Sequence, residues 1–270
     1  MELLLKLANL PRSSYYYTIE ALKSPAKNEQ ERAAIRSICL DHRGRYGYRR
    51  VTLALRNQGY QTNHKLVMKL MKLEGLTCQL RKKRYRSYNG LVGKIAPNLL
   101  NRNFKATQPN QKWTTDVTEF KVLGKRFYLS PILDLFNGEV VSYSLTGSPS
   151  FAATIEMLSK AFHRLPEKVD LILHSDQGWQ YQMKHYQGLL VERGIQQSMS
   201  RKGNCYDNAV IENFFGLLKS EFFDNRIFQT EYEFQNELME YLDYYNNDRI
   251  KVKLKGLSPV AYRTQSLCFT

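Results

Sequence analysis

The stretch Trp113-Thr-Thr-Asp-Val-Thr-Glu119 decides the fold. Its aromatic and β-branched residues at strand-like spacing predict a β-strand with the acid Asp116 inside it. Two further acids, Asp176 and Glu212, have 35 residues between them. Phosphodiester chemistry uses two divalent cations held about 4 Å apart, and Mg²⁺ prefers hard oxygen ligands. Three carboxylates on separate elements therefore predict a magnesium site that acts on phosphate esters.

The residues that follow Asp116 predict an antiparallel meander. A strand at 113–121 is followed by an apolar run at 126–135 and by a further strand-like segment at 139–145. Asn137-Gly138 lies between the last two and predicts a hairpin with a type I′ turn. The first acid is thus expected on the first of three antiparallel strands.

Helix and strand patterns alternate after this meander. The predicted elements are a helix from Ser148 or Ser150 to about Phe162, a strand at 169–174, a helix near 184–192, a strand at 195–200, a helix capped by Asp207 or Asn208 that runs to about Phe223, and a helix at about 231–247. This order is typical of the ribonuclease H-like fold, an α/β fold with a mixed sheet and flanking helices. In such a sheet the ends of parallel strands gather ligand groups, so Asp116 and Asp176 are expected to be adjacent.

A small all-α domain is predicted before this core. Residues 30–58 have helical periodicity that is interrupted at 46–48 and ends at Gly59. Asn63 is a suitable N-cap for a second helix, which stops at Gly75. Such a pair resembles a helix-turn-helix, although helix pairs are also common in proteins that do not bind DNA. Neighbouring cations favour DNA binding: Arg43, Arg45, Arg49, Arg50, Arg56, Lys65 and Lys69.

Positive charge is concentrated in the first part of the chain. The 270 residues include 40 Lys+Arg and 25 Asp+Glu, which gives a net charge of +15. Residues 1–110 hold 22 cations and 6 acids, a balance of +16, and residues 111–270 hold 18 and 19, a balance of −1. This asymmetry predicts a basic nucleic-acid-binding module joined to a near-neutral catalytic one. The alternative is a solvated basic face that aids solubility.

A run of cations marks the end of the basic region. Arg81, Lys82, Lys83 and Arg84 precede two tyrosines, Tyr85 and Tyr88. Such a run is usually a solvated face, but the interleaved aromatic residues favour contact with the DNA backbone and with bases. Gly, Asn and Pro residues follow and indicate a linker. Four segments are predicted: a basic helical region at 1–84, a flexible linker at 85–110, a catalytic core at 111–225 and a C-terminal helical extension at 226–270.

The cysteines and the hydropathy pattern favour a cytoplasmic protein. Cys39, Cys78, Cys205 and Cys268 are widely spaced, so neither a zinc knuckle nor a disulfide framework is indicated. The first ten residues lack the basic start and the long apolar core of a signal peptide. No apolar run is long enough to span a membrane, so no membrane partner is expected.

Three motifs resemble those of the DDE transposases of bacterial insertion sequences. They are Trp113-Thr-Thr-Asp-Val-Thr-Glu-Phe120, His174-Ser-Asp-Gln-Gly178 and Ser200-Arg-Lys-Gly-Asn-Cys-Tyr-Asp-Asn-Ala-Val-Ile-Glu-Asn-Phe-Phe215. The chain is most similar to the second-reading-frame product of the insertion-sequence-three family, which is related in fold to retroviral integrases. The similarity extends to Tyr46-Gly-Tyr-Arg-Arg50, Tyr244-Tyr-Asn-Asn-Asp-Arg249 and Leu257-Ser-Pro259, and so covers most of the chain.

This resemblance implies a catalytic site and its cofactor. Asp116, Asp176 and Glu212 would bind two Mg²⁺ ions, for which Mn²⁺ would substitute. Lys219, seven positions after the glutamate, would contact a transposon-end phosphate. Seven residues are about two helical turns, so both side chains are expected on one helix face. The alternative for Lys219 is an ordinary solvated lysine.

The resemblance also implies partners and a reaction. The substrates would be double-stranded transposon ends and target DNA, and the protein would act as a homo-oligomer on DNA. A first-reading-frame product, or a frameshifted fusion with it, would add end recognition. The reaction would free a 3′-hydroxyl at an element end, which then attacks another phosphodiester. The rival hypotheses are a nuclease of the same fold that only hydrolyses DNA and a regulatory DNA-binding protein without catalysis.

Other residues near the motifs have simpler interpretations. His174 is interpreted as a packed strand-end histidine, with a metal ligand as the less favoured alternative. Asp134 is explained by its position in the predicted hairpin, and Glu119 by a position on the surface of a strand. Asp207 is explained as a helix N-cap.

The tryptophans and one glycine remain to be interpreted. Trp113 and Trp179 are interpreted as residues of the core or of the site wall, with base stacking as the less favoured alternative. Gly203-Asn204 is expected to form a mobile turn that lets DNA approach Glu212, with a plain loop as the alternative.

Overall fold

The computed structural model describes Leu5 and residues 11–23, 28–76, 78, 95–166, 169–224 and 226–268, with only the backbone of 18–23 and Cys205. The basic run at 81–84 lies outside the described residues. The chain forms two compact units, Met1–Cys78 and Gln79–Thr270. The predicted segment boundaries after residues 84, 110 and 225 stay predictions.

The first unit is helical. Its helices are α1 (Arg12–Lys23), α2 (Glu29–Asp41), α3 (Tyr48–Asn57) and α4 (His64–Leu73). The predicted break at 46–48 separates α2 from α3. The side chain of Asn63 caps α4 by accepting a hydrogen bond from the backbone N–H of Lys65 at 3.0 Å. The apolar faces of three helices form the core: Ile35, Ile38, Cys39, Val51, Leu55, Val67, Leu70 and Met71.

The second unit contains a mixed sheet. Its strands are β1 (Lys112–Thr115), β2 (Thr118–Val122), β3 (Lys125–Asp134), β4 (Val140–Thr146), β5 (Ile172–Ser175) and β6 (Gln196–Met199). Strand β3 pairs antiparallel with β4 on one edge and with both β1 and β2 on the other. Strand β5 is parallel to β1, and β6 is parallel to β5. The sheet therefore has antiparallel strands on one side and parallel strands on the other.

The predicted strand at 113–121 is interrupted at its centre. Thr115 pairs with Ile132 at the end of β1, and Thr118 pairs with Leu129 at the start of β2. Both pairs belong to one register. Strands β1 and β2 are thus one strand with a two-residue gap, and that gap contains the first acid.

The cause of the gap lies on the neighbouring strand. The shared register places Asp116 opposite Pro131. The N–H of Leu135 donates to the carbonyl of Lys112 at 2.9 Å, and N–H groups alternate in direction along a strand, so the nitrogen of Pro131 also points toward Asp116. Proline has no N–H to donate, and the hydrogen-bond ladder opens at this position.

The prediction of a type I′ turn at Asn137-Gly138 was wrong. Such a turn needs a positive φ at both central residues, and only Gly138 has one, at 71°. The hairpin is longer, because the N–H of Gly138 donates to the carbonyl of Asp134 at 2.7 Å. The amide of Asn137 donates instead to the carboxylate of Glu139 and to the carbonyl of Pro259.

Helices cover both faces of the sheet. They are α5 (Phe151–Phe162), α6 (Lys184–Glu192), α7 (Ala209–Leu218), α8 (Glu231–Asn247) and α9 (Pro259–Cys268). One apolar cluster joins β2 and β3 to α7 and α8, and another joins β1 and β5 to α5 and α6. The predicted helix that runs to Phe223 is α-helical to Leu218 and continues as a π-helical turn over Lys219–Phe223.

Neither residue predicted to cap α7 does so. Asn208 occupies the N-cap position but makes no side-chain capping bond. Asp207 lies in a short 3₁₀ turn, Cys205–Asn208, which the side chain of Asn204 caps. The acid is engaged with arginines, as described below.

The predicted flexible linker is not free over its second half. Leu100 is buried, and the N–H groups of Leu99 and Leu100 donate to the hydroxyl of Ser198 on β6 at 2.9 and 3.2 Å. This segment is therefore part of the second unit. Across the ranges that the structure describes, no helix is both long and apolar enough to cross a bilayer.

Candidate active site

The sheet register brings two of the three predicted acids side by side. Thr114 of β1 pairs with His174 of the parallel strand β5. Asp116 and Asp176 lie two residues further along their respective strands, where β1 opens and β5 has just ended. Adjacent parallel strands are about 5 Å apart. The carboxylates therefore share one edge of the site.

Backbone groups fix the orientation of both aspartates. Asp116 Oδ1 accepts a hydrogen bond from the N–H of Val117 at 2.7 Å, and Asp176 Oδ1 accepts one from the N–H of Gly178 at 2.8 Å. A Cβ at Gly178 would lie 2.9 Å from Asp176 Oδ1. Position 178 is therefore confined to glycine if the carboxylate of Asp176 is to keep this position.

The third acid approaches from a helix. Glu212 lies in the first turn of α7, which contacts β1. Its side chain is exposed, whereas the aspartates are half-buried. Glu212 is thus the least enclosed of the three.

The three acids influence one another electrostatically. Desolvation raises the pKa of Asp116 well above its usual range, and the charges of Asp176 and Glu212 raise it further. Desolvation also raises the pKa of Asp176 and of Glu212. Among the described residues, no Arg or Lys forms an ion pair with any of the three. The site is short of positive charge, which a divalent cation would supply.

The three carboxylates suit a hard cation, but they do not converge on a single ion position. Carboxylate oxygens are the ligands that Mg²⁺ takes. In the described part of the chain, no three His, Cys, Asp or Glu side chains converge closely enough to hold one ion together. Asp116 and Asp176 form the preorganised half of the site, and the exposed Glu212 forms the other half.

Lys219 lies on the same side of α7 as Glu212. It is half-buried, and its ammonium is 5.5 Å from the centre of the Phe120 ring. Phe120 follows Asp116 by four residues on the same strand face. Helix α7 thus runs along this strand with Glu212 near the acid and Lys219 near the aromatic ring. Its contact with DNA stays a prediction.

The predicted DNA-binding cations of the first unit fall into two groups. Arg49, Lys65 and Lys69 are exposed, whereas Arg45 and Arg50 are half-buried. Arg50 lies 5.4 Å from the centre of the buried Tyr46 ring and donates to the carbonyl of Arg45 at 3.1 Å. Arg50 therefore stabilises the turn before α3, a role that its charge alone did not reveal.

The exposed face of α4 has members that the sequence reasoning missed. Met68 and Lys72 are exposed beside Lys65 and Lys69. These positions recur at helical spacing, i, i+3, i+4 and i+7, and so share one face. The signal was available in the periodicity of the polar side of the helix.

The structure also locates the remaining acids and the histidine. His174 is buried, its Nδ1 lies 2.8 Å from the hydroxyl of Ser198, and desolvation lowers its pKa. Asp134 is buried in the hairpin, where it accepts hydrogen bonds from two backbone N–H groups. Glu119 is exposed and pairs with Arg126 at 3.6 Å. Each of these side chains thus has a partner outside the three acids.

The tryptophans differ in environment. Trp113 is fully buried, as a core residue should be, and Trp179 is half-exposed beside Phe151. The expected mobile turn at Gly203-Asn204 lies within a loop that an Asp207–Arg201 ion pair closes. The mobility of the turn itself stays a prediction.

Family models match three parts of the chain. Two integrase core domain models match residues 106–205 and 212–267, and an HTH-like domain model matches residues 26–84. Asp116 and Asp176 lie in the first match, and Glu212 is the first residue of the second. The fold class predicted from the sequence is confirmed: a ribonuclease H-like core preceded by a helix-turn-helix domain.

Similar proteins cover nearly the whole chain. InsK of insertion sequence element IS150 from Escherichia coli (strain K12) is 54% identical over 97% of this chain and 93% of its own length. The transposase for insertion sequence element IS904 from Lactococcus lactis is 37% identical over 88% and 96%. The transposase InsF for insertion sequence IS3A from Escherichia coli (strain K12) is 31% identical over 97% and 93%.

Solved structures give a weaker likeness. The magnesium complex of the HTLV-2 integrase catalytic core covers 58% of this chain and 98% of its own, with 20% identity and a TM-score of 0.45. A score this low carries no argument about function.

Fold and sequence matches together define an integrase-core enzyme with an HTH-like N-terminal domain. The chain belongs to the insertion-sequence transposases of the IS3 family, as its motifs predicted.

Proposed function

We propose that this transposase cleaves and joins DNA at Asp116, Asp176 and Glu212, which bind two Mg²⁺ ions. The observation that carries the proposal is the parallel β1–β5 register, which places the two aspartates side by side. The charge of Glu212 acts on Asp116 from the facing helix. Bound Mg²⁺ would supply Lewis-acid activation of the attacking oxygen and stabilisation of the leaving oxygen. Mn²⁺ has similar oxygen preferences and would substitute.

The protein side chains would divide the remaining work. Asp116 and Asp176, held by the backbone N–H groups of Val117 and Gly178, would fix the geometry of the site. Glu212 would complete it when DNA approaches. Lys219 would bind a phosphate next to the scissile bond and so orient the strand.

DNA recognition would come mainly from the first unit. The exposed cations Arg49, Lys65 and Lys69 would contact phosphates, and α4 would enter the major groove. Arg45 and the run Arg81–Arg84 would also contact DNA phosphates. Two DNA segments must be held at once, which favours a homo-oligomer on DNA. A first-reading-frame partner or a frameshift fusion remains a prediction, and the cytoplasm is the compartment in which bacterial DNA is accessible.

A strand-transfer assay tests the proposal. The full chain is mixed with a labelled element-end duplex that has a pre-cut 3′ strand, with plasmid target and Mg²⁺. Joined products are expected for the parent. Asp116→Asn, Asp176→Asn and Glu212→Gln should each abolish joining while DNA affinity is kept, because each removes a ligand charge at similar volume.

Glu119→Gln is the matched control. This exposed acid lies near Asp116 in sequence but pairs with Arg126, so joining should be unchanged. Cleavage without joining would identify a hydrolytic nuclease. Substantial joining by any of the three triad variants would remove that residue from the site.

A further inference from the structure

The loop that leads into α7 contains a buried carboxylate, outside the three acids, that forms ion pairs with half-exposed arginines. Asp207 is fully buried and lies five residues before Glu212. Its Oδ2 accepts hydrogen bonds from the backbone N–H and from Nε of Arg201 at 3.1 and 2.9 Å, and its Oδ1 accepts one from Nη2 at 3.0 Å. Hydrogen bonds to Arg201 hold the pKa of Asp207 well below its usual range. The loop is therefore closed on itself.

The same carboxylate is also bound from a distant part of the chain. Asn98 Nδ2 donates to Asp207 Oδ2 at 3.0 Å, and Arg102 Nε donates to Asp207 Oδ1 at 3.0 Å. We call residues 96–102 the strap. The hydroxyl of Ser198, which accepts two N–H groups of the strap, anchors it to β6. Asp207 thus connects the loop to a segment that is itself fixed on the sheet.

The strap contains a tight turn with left-handed backbone at Arg102, the residue that contacts Asp207. Asn101 and Arg102 have φ angles of 41° and 62°, and the N–H of Asn103 donates to the carbonyl of Leu100 at 2.8 Å. Left-handed backbone is disfavoured for residues that have a Cβ, and an arginine has no local compensation. The ion pair with Asp207 offsets this strain.

Helix α7 lacks a side-chain cap at its start. Asn208 at the N-cap makes no capping bond, and its Oδ1 is buried with no hydrogen-bond partner in the described structure. The buried Ile211 packs the first turn, which carries Glu212, into the apolar core. The polar attachment of this turn to the rest of the unit comes from Asp207, the residue before Asn208.

We propose that Asp207 and Arg102 are positioning residues for Glu212. They clamp the loop at 200–208 to the strap and so set where α7 begins relative to Asp116 and Asp176. The inference rests on the proposed catalytic role of Glu212.

The test uses glycine at the strained turn of the full chain. Arg102→Gly removes the side chain, and glycine accepts a φ of 62° without strain, so the turn itself is kept. Asn101→Gly is the matched control, because it relaxes the same turn and leaves the clamp intact. Both variants should melt within a few degrees of the parent.

The first measurement is amide hydrogen exchange in the metal-free protein. Peptides that span 200–215 should exchange about tenfold faster in Arg102→Gly, the effect of losing one charge-assisted hydrogen bond of a half-exposed arginine. Exchange in Asn101→Gly should match the parent. This readout does not depend on joining activity.

The second measurement is joining as a function of Mg²⁺ concentration. Arg102→Gly should join about tenfold more slowly, and its half-maximal Mg²⁺ concentration should rise because Glu212 is misplaced. DNA affinity should be unchanged. Arg102→Lys should recover part of the rate, since it keeps the charge and one donor.

Two results would overturn the proposal. Unchanged exchange over 200–215 would show that Arg102 does not hold the loop. Faster exchange with a normal rate and normal Mg²⁺ dependence would show that the loop does not position Glu212. A parent that binds DNA but never joins it would instead refute the proposed function, and the exchange result would still report on the clamp.

Discussion

The buried ion pair between Arg249 and Glu221 predicts a large loss of stability when its cation is removed. Nε and Nη2 of Arg249 donate to the two carboxylate oxygens of Glu221, both at 2.8 Å. The two side chains are only 2% and 9% exposed. Tyr241 donates to the same carboxylate at 3.0 Å. In Arg249→Met the acid stays buried without its cation, which typically costs about 3–5 kcal/mol.

Thermal and urea unfolding of the full chain measure this cost. For a unit of this size about 1 kcal/mol shifts the melting temperature by roughly 2–4 °C, so a fall of about 6–20 °C is expected. The matched control is Arg126→Met. Arg126 and Glu119 are 3.6 Å apart and are 64% and 42% exposed, so losing this pair should leave the melting temperature close to that of the parent.

A double variant separates the charge from the packing. Glu221→Gln combined with Arg249→Met removes both charges, and a neutral buried pair is much less costly than one unpaired ion. Most of the stability should return. A loss below about 1 kcal/mol in Arg249→Met, or a double variant as unstable as the single one, would refute the reasoning.

Three further predictions concern the site and the DNA surface. Asp116→Asn should stabilise the metal-free protein, and the gain should be largest at neutral pH. Because the pKa of Asp116 is raised in the folded state, protonation of this carboxyl stabilises the parent in acid, and that contribution is lost as the pH rises through the folded-state pKa. Melting curves in chelator that show an equal gain in acid would contradict this. Lys69→Ala should reduce the slope of log affinity against log salt by about 0.9 if it contacts one phosphate, whereas Lys253→Ala, in the second unit, should not. Lys219→Ala should weaken joining by about 1–3 kcal/mol at unchanged metal affinity; full rescue by excess Mg²⁺ would refute the phosphate contact.

Local patterns predicted most of the fold because the side-chain periods of helices and strands are local properties. The order of strands and helices and the Asn63 cap followed from them. The gap at Asp116 did not, because a proline on the opposite strand causes it. The turn at Asn137 did not either, since its amide bonds to Glu139 and to the carbonyl of Pro259, far along the chain.

The three acids were singled out because each belongs to a distinctive motif, and the parallel register explains why two of them are adjacent. Their catalytic role stays a prediction. Which of the predicted DNA-binding cations are exposed could not be predicted from charge. Arg50 lies on the ring of Tyr46, while Arg49, one residue earlier, is exposed. Helical phase and stacking partners decide between these roles, and both depend on how the helices pack.

The prediction that Asp207 caps a helix was reasonable from its local sequence, but it was wrong. An acid just before a helix is a reasonable N-cap, but Asn208 already occupies that position, so the acid was redundant as a cap. Arg201, within the same motif, offered a nearby cation. The distant partners Asn98 and Arg102 carried no local signal, because nothing in a predicted linker indicates that it packs on the sheet. A second acid next to a residue that already occupies the N-cap position is therefore better interpreted as one half of an ion pair.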